Sequence, residues 1–388
     1  MFRLLLTVVI AVFFIGMYAG CSSASKIKGE VAPAQTSISQ LRFLSEFDVP
    51  HAKLFENTTV GGLSGIDYDS ARNVYYLISD DRSALNPARF YTAKIHLSGN
   101  AIDSVEFIAV HSLLQQNGEV YPNSSQDPSR TPDPEAMRYN PLQDELVWSS
   151  EGERIVKPGT TVLENPSVTV INMDGRYKDS FALPAMMQMQ PVEQGPRQNG
   201  VFEGMTFADN YKTLFVNVEE PLYQDGPRAA TGDSTALIRI IKYNTLSHQP
   251  VAQYAYRTEA VAHPANPPGA FKINGVPDIL SVGNDQLLVI ERSFSTGRPA
   301  CTIRVFMADL KQATDISGNT SLQANLPASL VSKKRLLNMD DLGRYIDNVE
   351  GVTFGPVLSN GHRTLIFVAD DNFSPFEKTQ FLLFEVIP

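Results

Sequence analysis

Cysteine is nearly missing: the 388 residues include two, Cys21 and Cys301, too few for a disulfide framework. Basic residues are outnumbered, with 32 Lys and Arg against 42 Asp and Glu, giving a formal net charge of −10. No basic patch carries interleaved aromatics, so binding to a nucleic-acid backbone is excluded as the main task. Histidine occurs six times, scattered and without HxH or HExxH spacing, which argues against a His-based zinc site. There is no phosphate-binding P-loop and no dinucleotide fingerprint. Gly62-Leu63-Ser64-Gly65 is not a G-x-S-x-G elbow, and the strand-to-helix turn such a serine needs is not in the pattern. No convincing helical period appears anywhere after the N-terminal run.

What the chain does have begins with a leader. Arg3 is followed by an almost unbroken apolar run from Leu4 to Met17, then by small Ala19 and Gly20 before Cys21. That order reads as residues 1–20 forming a secretory signal, with Cys21 lipidated as the mature N-terminus. Tyr18 departs from the usual aliphatic residue of a lipobox, which keeps simple secretion or an uncleaved anchor as alternatives. The apolar run is short for a membrane span. Residues 22 to about 38 are small and polar, as a tether would be. Cys301 lies in the run Cys301-Thr302-Ile303-Arg304-Val305-Phe306 and reads as a small core residue.

Five segments then repeat one design: a small or acidic anchor, a short apolar strand, a polar turn and a second apolar strand ending in acids. The anchors are Ser64, Glu135, Glu203, Asp278 and Glu350, at steps of 71, 68, 75 and 72 residues. Each repeat offers two further strands except the fifth, which offers Gln380 to Val386. One strand, Leu41 to Val49, is left over at the N-terminus. This pattern predicts an all-β propeller of five four-stranded blades over residues 41–388, closed by the N-terminal strand. Six blades would require one hidden in a linker.

Antiparallel pairing places the start of each inner strand and the end of the second on one face. The anchors should therefore ring one channel mouth. Asp80/Asp81, Glu151, Glu219/Glu220, Glu291 and Asp370/Asp371 should lie just outside it. Carboxylates so crowded cannot all ionise without a counter-charge. Arg82, Arg154 and Arg292 could supply it, or a hard cation could, and oxygen ligands at variable spacing suit Ca²⁺. The alternative is blade-to-blade salt bridges. Ser64, where the other repeats carry an acid, reads as room left for a ligand or an arginine. His51, His111 and His263 should share the acidic face, and His96, His248 and His362 the other.

The motifs Leu63-Ser64-Gly65-Ile66 with Ile78-Ser79-Asp80-Asp81-Arg82, Asp133-Pro134-Glu135-Ala136, Phe202-Glu203-Gly204-Met205, Val289-Ile290-Glu291-Arg292 and Asn348-Val349-Glu350-Gly351 with Ala369-Asp370-Asp371-Asn372 resemble the phytase-like, or "esterase-like activity of phytase", domain family. The resemblance spans Leu41 to Pro388. It implies an exported, repeat-built protein that hydrolyses phosphate or carboxylic esters. Established alkaline phytases are Ca²⁺-dependent propellers of six blades, from which a count of five departs.

The expectation is then a Ca²⁺-dependent hydrolase of a small anionic ester. Asp81, Glu135, Glu151, Glu220, Asp278, Glu291 and Asp370 would hold metal, Glu203 or Glu350 would position water, and Arg82 and Arg292 would neutralise developing charge. The rival is a non-catalytic propeller of the cell envelope that binds a sugar, peptide or partner protein. Either would meet the membrane only through its lipid anchor.

Overall fold

Five four-stranded antiparallel sheets follow one another along the chain, as the repeats require. The computed structural model describes residues 37–233 and 235–388; the leader, Cys21 and the tether to residue 36 lie outside the described residues. The first blade is Leu63–Asp69, Val74–Ser79, Arg89–Ser98 and Ala101–Ser112. The second is Pro134–Asn140, Glu145–Ser150, Ser167–Asn172 and Tyr177–Ser180, with an extra hairpin, Glu153–Lys157 and Thr160–Glu164, inserted after its second strand. The third is Phe202–Ala208, Thr213–Val218, Leu237–Asn244 and Gln249–Arg257. The fourth is Ile279–Gly283, Gln286–Ser295, Thr302–Asp309 and Ser332–Asn338, extended by the short strand Lys272–Gly275. The fifth is Asn348–Gly355, Thr364–Asp370 and Thr379–Ile387, completed by Gln40–Val49 from the other end of the chain.

That last pairing runs from Leu41 opposite Val386 to Val49 opposite Thr379. It covers an edge that would otherwise expose a row of unpaired backbone groups. Among the described residues the only helical pieces are three short 3-10 turns, and no helix is long and apolar enough to cross a membrane. Second strands such as Val74–Ser79 and Glu145–Ser150 are buried throughout, because neighbouring blades cover both faces. The core is accordingly divided among the blade interfaces. Val74, Ile78, Met137 and Trp148 fill the first-to-second interface, while Leu288, Ile303, Val352 and Phe367 fill the fourth-to-fifth.

The inner strands meet around the channel at very short range. A Cβ added at Gly65 would fall 2.8 Å from the Glu135 carbonyl, and one at Gly204 would fall 2.4 Å from the Asp278 Cα. Glycine after the anchor is thus what lets the next blade's anchor backbone approach. Ser64 does not make room for a ligand: its hydroxyl donates to the Glu135 carbonyl at 2.7 Å and locks the first blade to the second.

One ion pair ties all five blades. Arg138, on the second blade, donates to both Asp278 oxygens at 2.7 Å, to the Met205 carbonyl of the third blade and to the Ile66 carbonyl of the first. Asp278, on the fourth, accepts the Val352 N–H of the fifth at 2.8 Å. Both side chains are buried, so each charge is satisfied by the other and by backbone dipoles.

Candidate functional site

Each anchor acid that enters the site sits at a break in its strand's register. The ladder slips at Pro134/Met137 around Glu135, at Phe202/Met205 around Glu203 and at Val349/Gly351 around Glu350. A bulge puts an extra residue into the strand and re-aims its side chain. Here it turns the three glutamates into the channel mouth. The second strands contribute Asp80, Glu151 and Glu219, whose N–H groups bond to the carbonyls of Gly62, Asp133 and Val201, each two residues before an anchor. Asp370 takes the corresponding place opposite Asn348.

The result is a cavity of about 480 Å³ whose wall includes Asp80, Asp133, Glu135, Glu151, Glu203, Glu219 and Glu350, with Arg292 as its one cation among the described residues. Ligand oxygens come within 4.8 Å of one another in three triads: Asp80, Glu350 and Asp370; Asp133, Glu135 and Glu151; Glu151, Glu203 and Glu219. Glu151 belongs to two of them. Arg292 donates to Glu350 at 2.6 Å and to Glu219 at 2.6 Å, and a third N–H goes to Asn348. Its buried Nε has no hydrogen-bond partner among the described residues.

Burial is the first cause of the electrostatics, and neighbouring charges, acidic or arginine, come second. Asp133 is pushed up to about 7 and Glu151 to about 8, although two N–H groups, of Gly200 and Val201, donate to Glu151. Asp80, Glu135, Glu203 and Asp370 are raised well above the ordinary carboxyl range by burial and then by their neighbours. Glu350, also raised by burial, reaches only about 6 because Arg292 pulls it down. Without added positive charge several of these groups must hold a proton near neutral pH. Cys301 also lines the cavity, but burial pushes its thiol up to about 12, which rules out a thiolate nucleophile.

The expected site residues divide cleanly. Glu203, Glu350, Glu135, Glu151, Asp370 and Arg292 come together at this mouth. Asp81, Glu220, Asp278 and Glu291 line no part of the cavity and belong to none of the triads, which corrects their placement among its metal ligands. Asp81 accepts the N–H groups of Ala84, Leu85 and Asn86 and pairs with Arg89 at 2.7 Å. Glu220 pairs with Arg228 at 2.8 Å. Asp278 belongs to the Arg138 pair. Glu291 accepts from the Tyr256 hydroxyl, the Glu259 N–H, Asn274 and Lys333. Arg82 itself does not line the cavity; it pairs with Glu153 at 2.7 Å and lies 3.6 Å from Asp133 behind the wall.

Adjacent residues at a strand end point to opposite sides, so only one acid of each pair can enter. The entering ones are Asp80 and Glu219, and a signal for them lies in the sequence. Asp80, Glu151 and Glu219 each stand 16 residues after their anchors. Asp133 and Asn348, each two residues before an anchor, share the same logic. In the fourth blade Arg292 enters where the others bring an acid, and Glu291 turns away. The histidines near the site are peripheral: His51 lies 3.8 Å from Asp371 and His263 lies 3.7 Å from Asp340, and neither lines the cavity.

A family model described as phytase-like, esterase-like activity of phytase, matches residues 58–373. No curated protein matches the chain. Similar solved structures include a GH43 β-1,3-galactosidase with galactodeoxynojirimycin, at 12% identity and a TM-score of 0.43 over 87% of this chain and 93% of that one. A periplasmic gluconolactonase of Pseudomonas aeruginosa is similar at 12% identity and a TM-score of 0.36, over 85% of this chain and 90% of that one.

Proposed function

The chain belongs to the phytase-like family, and from that premise we propose that it is a hydrolase of phosphate esters, working with Ca²⁺ in the acidic cavity. The observation that carries this reading is the set of three carboxylate triads, two of them joined through Glu151, beside Arg292. So many acids repel an anionic ester unless cations intervene. The donors fit such a cation: they are carboxylate oxygens on separate strands, the hard and adaptable ligand set that Ca²⁺ takes.

Bound Ca²⁺ would supply positive charge to screen the carboxylates and to polarise the phosphoryl oxygens. Arg292, braced by Glu350 and Glu219 at 2.6 Å each, would offset charge that develops on those oxygens. Glu203 is the base. Burial and its neighbours keep it protonated in the bare cavity, so it can accept a proton only after the surrounding charge is offset. In the reaction the water oxygen bonds to phosphorus and Glu203 takes the water's proton. The ester P–O bond breaks, its electron pair leaves on the alcohol oxygen, and that oxygen is protonated from solvent.

The same reading keeps the domain in the cell envelope, tethered through diacylated Cys21. The test is phosphate-ester hydrolysis by the purified chain, lost in chelator, regained with Ca²⁺, and abolished by Glu203→Gln and Arg292→Met. Ca²⁺ binding with no turnover of any ester would make the cavity a binding site of an envelope propeller instead.

A further inference from the structure

The cavity is not acidic on every side. In the fourth blade the strand Gln286–Ser295 runs past its inner neighbour, and the extra strand Lys272–Gly275 pairs with the overhang. Gly275 lies opposite Arg292 and Ile273 opposite Phe294. Side chains two residues apart share a face, so the face that shows Arg292 to the cavity also shows Ile273 and Phe294. Asn274 and Ser293 turn the other way, where Asn274 bonds Glu291. Phe271 continues the same face outward, and its ring lies 6.1 Å from that of Phe294. All three apolar residues line the cavity.

Two features make this wall a built surface. Phe271 is 56% exposed, yet its carbonyl is fixed by both the N–H and the hydroxyl of Thr296, at 3.0 and 2.9 Å. At the inner end a Cβ on Gly275 would fall 2.3 Å from a Glu219 oxygen, so the strand that carries the wall abuts the acids directly. The distance from Arg292 to Phe294 is one two-residue step, about 7 Å, and Phe271 lies about as far again. An ester with its charged end at Arg292 would lay its organic group along Ile273, Phe294 and Phe271. Because Arg292 is the one cation of the wall among the described residues, a second anionic group placed along the apolar face would meet hydrocarbon.

We propose that the ester accepted here carries an apolar, ring-sized organic group, seated on the wall of Ile273, Phe294 and Phe271 with its anionic end at Arg292. This rests on the phosphate-ester reading and narrows it to an aryl or similarly apolar monoester. The test measures binding of phenylphosphonate and methylphosphonate to the full chain in CaCl₂ by calorimetry, so no turnover is needed. Phenylphosphonate should bind roughly tenfold more tightly, the worth of covering one ring. Phe271→Ser, at an exposed position that cannot endanger the fold, and Phe294→Ala, checked by its melting temperature, should each lower that ratio and leave methylphosphonate affinity unchanged. Equal affinities for the two ligands, or a ratio that neither substitution alters, would overturn the inference and leave the hydrolase reading standing. Failure of both ligands to bind with Ca²⁺ present would overturn both.

Discussion

Calcium should stabilise this protein more strongly the higher the pH. Burial, before any other cause, holds Glu350 up at about 6, Asp133 at about 7 and Glu151 at about 8. In the unfolded chain such groups titrate near 4. Between roughly pH 4.5 and 8 the folded state therefore binds more protons than the unfolded one. Without the ion, stability is fully present below that window and is lost as pH rises through it. Bound Ca²⁺ should reverse the trend by taking the place of the protons on the triads. At a free concentration a hundredfold above its Kd, one ion adds about 2.7 kcal/mol. A domain of roughly 350 residues unfolds with an entropy near 0.7 kcal/mol/K, so each ion should raise the melting temperature by about 4 °C. Melting curves at pH 5, 6.5 and 8, with Ca²⁺ and with chelator, read this directly. The shift should be small at pH 5 and full at pH 8. Glu203→Gln should at least halve it, while raising the cation-free melting temperature at pH 8 by removing a group that the folded state must keep protonated. A calcium shift independent of pH, or a wild-type shift in Glu203→Gln, would refute the reasoning.

The channel pair gives a second test. Arg138→Met leaves Asp278 buried without its cation, which should cost about 3–5 kcal/mol and about 4–7 °C in melting temperature; adding Asp278→Asn should recover part of it, and a neutral single variant would deny the pair its role. Deleting residues 22–38 should leave the melting temperature unchanged, whereas deletion through Val49 removes the closing strand and should destabilise the whole domain; equal melting temperatures would count against closure by that strand. Cys21→Ser should release the protein from membranes or stall its processing, and failure of labelled fatty acid to enter the wild-type chain would sink the lipoprotein proposal.

The ring was legible because its cause is periodic. Anchors about 70 residues apart, each heading a pair of short apolar runs, can bury those runs only against neighbouring copies. The unpaired Leu41 to Val49 run then fixes where the ring closes. Direction along a blade was legible too, and it placed Glu135, Glu203 and Glu350 at one mouth. What pattern alone did not resolve was the facing of adjacent residues. In Asp80-Asp81 and Glu219-Glu220 both members are acids, and composition is the same whichever one enters. The deciding facts are the bulges at the anchors and the register they impose on the second strand. The Lys272–Gly275 strand was missed because its apolar residues are few and its partner is the overhang of a longer strand. The hairpin after Ser150 was missed for a similar reason, as it pairs only with itself.

The acids in and around this mouth fall into two kinds, and the difference says which of them the fold needs. Asp81, Asp278, Glu291 and Asp371 each accept backbone N–H groups, and the first three also meet a cation, so their charge is offset within the chain. These acids hold turns and blades together, and such arrangements are costly to break from one side only. Asp80, Glu135 and Glu203 instead turn toward the cavity, where burial and then neighbouring acids raise their proton affinity. A chain under selection for stability alone would replace such groups with neutral ones, since each buried like charge works against folding. Their presence on separate blades, with Glu135 and Glu203 aimed inward by bulges, is the kind of local penalty found at functional sites. The structural acids can lose a charge only together with their partners. The cavity acids should become amides singly with a gain in cation-free stability, and with loss of whatever the cavity binds.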